Sequence, residues 1–452
     1  MTSGKILSLL RRFESRNILH AEPDGSWPIV WKSARGVQVV DMENRRYLDL
    51  TAAFGVAAAG HANPRVVRAG QRQMTRLLHA MGDVHPHALK AELARELSRL
   101  TFERWRRPTA SAGQEASIPR HGKSIFCNSG FEAVEAALKT AMLATGKAGV
   151  IAFTGAYHGT GYGTLNATHR AHFHAPFKTQ LATFGHFVKF PAAVGISTAG
   201  KFPGHDAENA RKEIERIVRR HEIGAVLVEP VQARGGIIVP EAGFLHGLRE
   251  QCDRHGLLLI VDEIFTGFGR TGKWFACEHS PGAIPDLICL GKALTGGFPL
   301  SACVGRADVM DRAWPESSGE AIHTSTYLGH PVGCAMALAQ IAEIRRLKLV
   351  EQSARIGRWL LRELGSQSAH LKVEIVVRGL GLMAGLELLR PDGSPATREA
   401  LTVVKEMLRR GFILLPEGEH GNVISFTPPL TITEDQLRGA VKPLFEELRR
   451  LE

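Results

Sequence analysis

The sequence predicts an α/β protein, with a large domain around a mostly parallel central sheet and a smaller α+β domain assembled from both chain ends. Three observations lead there. Between about residues 124 and 310, short apolar strands alternate with helices. Continuous apolar strands separated by helices belong to a parallel sheet covered on both faces. After Pro331 the texture changes to two helices followed by mixed strands and helices. The chain has 452 residues, too many for one ordinary domain and comfortable for two. The expected division is an N-terminal segment 1–85 that joins the small domain, a large domain 86–335, and a C-terminal small-domain part 336–452.

In chain order, residues 3–16 have the spacing of an amphipathic helix, and 28–50 alternate as strands with a turn at Met42-Glu43-Asn44. The Pro-, Gly- and Ser-rich stretch 107–123 reads as an exposed loop. Strands are expected at 124–127, 150–153, 225–231, 257–263, 287–290 and 301–304, with helices at 132–144, 208–221 and 243–255. Beyond Pro331 come helices near 332–348 and 350–365, and strands near 372–377 and 382–388. A helix near 397–410, a strand at 423–426 and a last helix at 434–450 follow.

Composition narrows the function. Hydrophobic residues are 44% and charged residues 22%, the balance of a globular protein. The apolar run Leu257 to Val261 is far too short to cross a bilayer. The basic residues Lys5, Arg11 and Arg12 enclose only four apolar residues, which is no signal peptide, so the expected address is the cytoplasm. The six cysteines form no CxxC pair and read as small buried hydrophobes kept reduced. The net charge of +11 is spread along the chain, and its densest runs alternate with Glu. That pattern describes solvated helix faces and no nucleic-acid partner; anionic substrates or cofactors are a better use of the excess.

Three segments carry chemistry. In Cys127-Asn128-Ser129-Gly130-Phe131-Glu132, a strand ends and a helix begins, with Ser129 placed as N-cap. Backbone N–H groups at such a start suit a phosphate. In Leu257-Leu258-Leu259-Ile260-Val261-Asp262-Glu263, an apolar strand delivers Asp262 to its carboxyl end. A buried carboxylate must face a cation or a donor, and a protonated cofactor ring nitrogen would serve. In Leu287-Ile288-Cys289-Leu290-Gly291-Lys292, another strand ends at a lysine placed for a perturbed pKa and imine chemistry. An anion cradle, an acid and an imine-forming lysine at one sheet edge describe a site for pyridoxal 5′-phosphate.

The combination resembles the class III aminotransferases (ω-amino acid or 4-aminobutyrate-like). The resemblance rests on the segments above and on Ala156-Tyr157-His158-Gly159, Glu229-Pro230-Val231-Gln232, Asp262-Glu263-Ile264-Phe265-Thr266-Gly267 and Gly291-Lys292-Ala293-Leu294-Thr295. Thr324-Ser325-Thr326-Tyr327 and Pro428-Pro429-Leu430-Thr431-Ile432 continue it. It implies fold type I and a homodimer with active sites at the subunit interface. By motif match, Lys292 would hold the cofactor as an internal aldimine and Asp262 would keep the ring nitrogen protonated. Ser129 and the Gly130 and Phe131 amides would bind phosphate, and Tyr157 would stack on the ring with His158 and Ile264 beside it. Gln232 would reach the ring hydroxyl, and Thr326 the phosphate of the neighbouring subunit. The implied reaction passes an amino group from an ω-amine, diamine or ω-amino acid to an oxo acid in ping-pong fashion. A racemase or epimerase on the same scaffold is the alternative; it would consume no oxo acid. A non-catalytic basic protein would carry no cofactor chromophore.

The sequence departs from this family in two places. The arginine that usually pairs with a substrate carboxylate is Ser425 here, and the arginine that often follows Tyr-His-Gly is Thr160. A hydroxyl does not replace a bidentate clamp. Glu229, associated with that arginine in the family, is therefore expected to face a cationic or polar substrate group. Ser325 and Ser425 are expected near the substrate, and Arg378 is a candidate for a clamp from elsewhere in the fold. Two other signals carry less weight. Gly267 to Gly272 fits G-x-G-x-x-G, but no long helix follows it, and His169, His172 and His174 only imitate metal ligands. No metal is expected.

Overall fold

The computed structural model describes residues 1–105, 121–192, 196–197, 207–369, 371 and 374–451. Most of the expected loop 107–123 therefore lies outside the described residues. Seven strands build the large sheet. They are β1 (Gly122–Cys127), β2 (Gly149–Phe153), β3 (Gly185–Val188), β4 (Ile223–Val228), β5 (Leu258–Asp262), β6 (Leu287–Leu290) and β7 (Ser301–Arg306). Their order across the sheet is β1-β7-β6-β5-β4-β2-β3. Only β7 runs antiparallel to its neighbours, so β1, β2, β4, β5 and β6 all end at the same edge.

Residues of β2, β4, β5 and β6 are buried on both faces, which explains their unbroken apolar runs. Alternate side chains enter two cores. Ala152, Leu227, Ile260 and Cys289 pack against Ala133, Val134 and Ala137 of the helix Gly130–Thr145. Phe153, Val228, Val261 and Leu290 join Phe244, Leu245 and Leu248 of the helix Phe244–His255 on the other face. The edge strand β3 was not expected. It reads Gly-His-Phe-Val, is only half-buried, and has no apolar run to announce it.

The strands and helices expected outside the central sheet lie close to their expected places. A meander of Trp31–Arg35, Gln38–Asp41 and Arg46–Asp49 joins Phe412–Ile413 in parallel, so the two chain ends meet in one sheet. A second sheet contains Leu415–Glu417, Val423–Phe426, Met383–Leu389, Glu374–Leu380 and Ile196–Ser197. Among the described residues, no helix is long and apolar enough to cross a membrane.

The glycine-rich stretch after β5 has a packing role. A Cβ on Gly272 would stand 2.9 Å from the Cα and Cβ of Ala354, on the helix Leu349–Ser368. Its glycine permits close approach of that helix and opens no dinucleotide-binding helix.

Candidate active site

Five strands deliver the site to one edge. Their carboxyl ends, and the loops that follow, supply Gly130 and Phe131 after β1, Tyr157 to Thr160 after β2, and Glu229, Ala233 and Arg234 after β4. Asp262, Ile264 and Phe265 come from β5, and Lys292 follows β6. Together these residues line one cavity of about 260 Å³. This is the place where doubly wound sheets bind ligands.

Lys292 sits two residues beyond the end of β6 with φ +38°, in the left-handed region. That conformation costs a non-glycine residue about 1–2 kcal/mol and persists where its surroundings fix it. Its ammonium lies 4.2 Å from the centroid of the Phe265 ring. Burial brings the Lys292 ammonium down to about 8, although Asp262 and Glu229 pull it the other way. Near neutral pH the amine thus has an appreciable neutral population, as a nucleophile or proton carrier needs.

Asp262 is held from two sides. His158 Nδ1 stands 2.8 Å from its Oδ2, and the Ile264 N–H donates to its Oδ1 at 3.1 Å. A carboxylate offers about four lone-pair sites, so both oxygens keep capacity for a third partner. His158 is buried, and its Nε2 has no partner among the described residues. His158 thus acts on Asp262 first, fixing the direction of the carboxylate.

The cradle begins the helix Gly130–Thr145. Ser129 occupies the N-cap, but the cap is made by Glu132, whose carboxylate accepts the Asn128 and Ser129 N–H groups at 2.7 and 3.2 Å. The Ser129 hydroxyl, expected to cap, is buried and makes no hydrogen bond among the described residues. First-turn N–H groups have no intrahelical acceptor, and the helix dipole favours an anion there. Ile264 packs closely on Gly130, and a Cβ on Gly130 would meet it at 3.1 Å. An orphaned hydroxyl beside free first-turn amides, an aimed acid and a desolvated lysine fit pyridoxal phosphate.

Several expected residues do something else. Glu229 lines the cavity, but its two oxygens accept the Tyr157 and Ala233 N–H groups at 3.0 and 3.2 Å. It ties two site loops together, and burial raises its carboxyl to about 7. Gln232 does not line the cavity; its amide donates to the Thr154 carbonyl at 2.8 Å. Ser425 is buried in the small-domain sheet and donates to the Leu415 carbonyl at 3.1 Å, away from the cavity lining. Arg378 pairs with Glu387 and donates to the Gly236 and Ile237 carbonyls, so it is no free clamp. Ser325 and Thr326 lie on an exposed segment outside this chain's own cavity lining, with Ser325 Oγ 3.5 Å from Asn128 Nδ2.

The sequence reading missed Arg234, Phe265 and Glu417. Arg234 lines the cavity with its guanidinium carbon 5.1 Å from the Tyr157 ring centroid. Its position two residues after Gln232 gives no periodic or motif signal of this role; only the fold of the loop brings it in. Among the described residues, no group of three His, Cys, Asp or Glu side chains is arranged to hold a metal.

Comparison with known proteins agrees with this geometry. The profile of the family described as aminotransferase class-III matches residues 20–447. A 5-aminovalerate aminotransferase of Pseudomonas aeruginosa is 36% identical over 433 residues, covering 93% of each chain. An acetylornithine aminotransferase of Methanosarcina mazei is 35% identical, covering 93% of this chain and 92% of its own. An amine transaminase structure from an uncultivated Pseudomonas species, in its pyridoxal-phosphate-bound form, superposes with a TM-score of 0.82 at 28% identity, covering 98% of this chain and 99% of its own. A strand-edge lysine, a buried acid and a helix-start cradle thus occur in a chain that matches this family almost end to end: it belongs to the class III aminotransferases and is a pyridoxal-phosphate-dependent transaminase.

Proposed function

We propose that this transaminase takes the amino group of an ω-amine, diamine or ω-amino acid, releases the carbonyl product, and then aminates an oxo acid in a ping-pong cycle. The observation that carries the reading is the convergence of Lys292 and Asp262 on one cavity, with the Gly130 and Phe131 amides at its end. Pyridoxal phosphate, when bound, supplies an electron-withdrawing ring that makes the Cα–H of the attached amine acidic.

The protein's own groups then divide the work. Asp262, fixed by His158 and the Ile264 N–H, would meet the ring nitrogen and favour its protonated form. Lys292 would take the Cα proton at Nζ and give it up on the other side of the substrate nitrogen, acting as base and then acid; an ammonium brought down to about 8 suits both directions. Ser129 and the first-turn amides would hold the phosphate, and Tyr157, which lines the cavity, would lie beside the ring. The similarity to a 5-aminovalerate aminotransferase supports an ω-amino donor.

A homodimer belongs to the same proposal. Leu78, Met81, Val84, Ile322 and Tyr327 are exposed apolar side chains, and the Thr324 hydroxyl bonds to Asp83 between the two segments that carry them. An exposed apolar cluster of this kind marks an interaction surface. Thr326 lies beside it, exposed and outside this chain's own cavity lining, as contact with a neighbouring subunit's site would require.

Cofactor-loaded enzyme mixed with 5-aminovalerate alone should release one carbonyl product per site and stop, then resume on addition of an oxo acid. Racemisation of an amino acid with no demand for oxo acid would overturn the reading. Lys292→Ala should end multiple turnover while circular dichroism shows the fold intact.

A further inference from the structure

We propose that Arg234 is the carboxylate-recognising residue of this enzyme, binding the distal carboxylate of the amino donor and that of the oxo acid in place of the arginine missing at Ser425. The inference rests on the transaminase reading above and narrows its donor to an amino acid.

Among the described residues lining the cavity, the side chains with basic nitrogens are Lys292, His158 and Arg234. Lys292 is committed to proton transfer and His158 to Asp262. That leaves one guanidinium. It lies against two neighbouring rings on one side, with its carbon 5.1 Å from the Tyr157 centroid and 5.8 Å from the Phe173 centroid. Tyr157 and Phe173 themselves meet edge to face at 5.1 Å. Such stacking fixes the plane of the fork without using its N–H donors.

One of its donors is available. The Nε of Arg234 is buried and makes no hydrogen bond to any described residue. A buried, unpartnered donor on a charged group is costly unless a ligand completes it. A carboxylate does so in bidentate geometry, which an ammonium or an uncharged amine cannot.

The loop is built to hold this side chain still. The Gly418 N–H donates to the Arg234 carbonyl at 3.2 Å. Arg378 donates to the carbonyls of Gly236 and Ile237 at 2.7 and 3.1 Å, two and three residues downstream. Ile237 holds φ +56°, a conformation that such outside bonds must maintain. Arg378 therefore positions the clamp instead of being it.

Glu417 completes the arrangement. It is buried at the end of the strand Leu415–Glu417 and lies in the electrostatic field of Arg234, Lys292 and Arg170. Burial raises its carboxyl above the usual range, with these three cations opposing the rise. No ion pair closer than 4.0 Å joins it to Arg234 among the described residues, so the fork is not already filled. Thr160, at the other position where the family often has arginine, lines the cavity with only a hydroxyl to offer.

The test compares the holoenzyme with Arg234→Ala and Arg234→Lys. Two donors are used, 5-aminovalerate and n-pentylamine, which differ by the carboxylate. Valerate, which carries no amine, serves as the binding probe, titrated by calorimetry. The ratio of kcat/KM for 5-aminovalerate over pentylamine should fall roughly 10- to 100-fold in Arg234→Ala, carried by KM, as loss of a charge-assisted pair predicts. Valerate affinity should fall by a similar factor, and Arg234→Lys should recover part of both, because it restores charge without the fork. An unchanged ratio or an unchanged valerate affinity in Arg234→Ala overturns the proposal. Should the wild-type enzyme turn over neither amine, the transaminase assignment of substrate fails, and the valerate titration still decides the clamp.

Discussion

Gly159→Ala probes the phosphate cradle without touching a polar group. Gly159 has φ +107°, where side chains are strained. A Cβ built there stands 2.3 Å from Phe131 Cβ and 3.1 Å from Phe131 Cα. Carbon atoms reach comfortable contact only near about 3.5 Å, so Phe131 must retreat by about 1 Å. Phe131 is the second residue of the helix Gly130–Thr145 and lines the cavity. A retreat of about 1 Å carries its N–H beyond the range of a good hydrogen bond to a phosphate oxygen. One bond to a charged group counts about 1.5–3 kcal/mol, so pyridoxal phosphate affinity should fall roughly 10- to 150-fold. Backbone strain and overpacking together place about 2–5 kcal/mol on the fold, so the apoenzyme melts earlier as well. The assay titrates apoenzyme with pyridoxal phosphate and, separately, with pyridoxal, following tryptophan fluorescence. Because only the phosphate meets the cradle, the affinity ratio of the two should drop by the stated factor. Wild-type ratio in a folded Gly159→Ala protein would refute the placement of phosphate at this helix start.

Two further expectations follow from the buried charges. Capture of pyridoxal phosphate by the apoenzyme needs the neutral Lys292 amine, so its rate should climb with pH and level off above about 8. Asp262→Asn removes a carboxylate that raises Lys292, and the inflection should move to lower pH; an inflection that stays put or moves up would contradict the shared cavity. Glu229, raised from 4.5 to about 7 by burial, binds its proton more tightly in the folded state. That contribution is complete below pH 4.5 and is lost as the pH rises through about 7, so wild-type apoenzyme should lose stability relative to Glu229→Gln over this window. Parallel melting curves against pH would show that Glu229 does not titrate there.

Much of the site was written in local sequence. β5 is a run of apolar residues ended by Asp262, and β6 is one followed, after Gly291, by Lys292; burial on both faces forces such runs to be continuous. A strand end fixes its last residue to the sheet edge, so residue type and position in the run were enough to place both. The helix start at Gly130 was legible for the same reason, since a strand, a small polar turn and a strong helix former are all local features.

What the sequence could not decide is where side chains from separate loops meet. Ser425 stood at the position where the family has its clamp, yet the hydroxyl is too short to leave the sheet and bonds to Leu415. Arg378 was an equally good candidate by type, and the fold consumes it in holding Gly236 and Ile237. Glu229 was free to be read as a substrate contact until its oxygens were found on the Tyr157 and Ala233 amides. Arg234, Tyr157, Phe173 and Glu417 lie on four different segments, and no periodicity links them. Strand burial is a property of neighbours along the chain and can be read there. Charge pairing between loops depends on distances that only the closed fold sets.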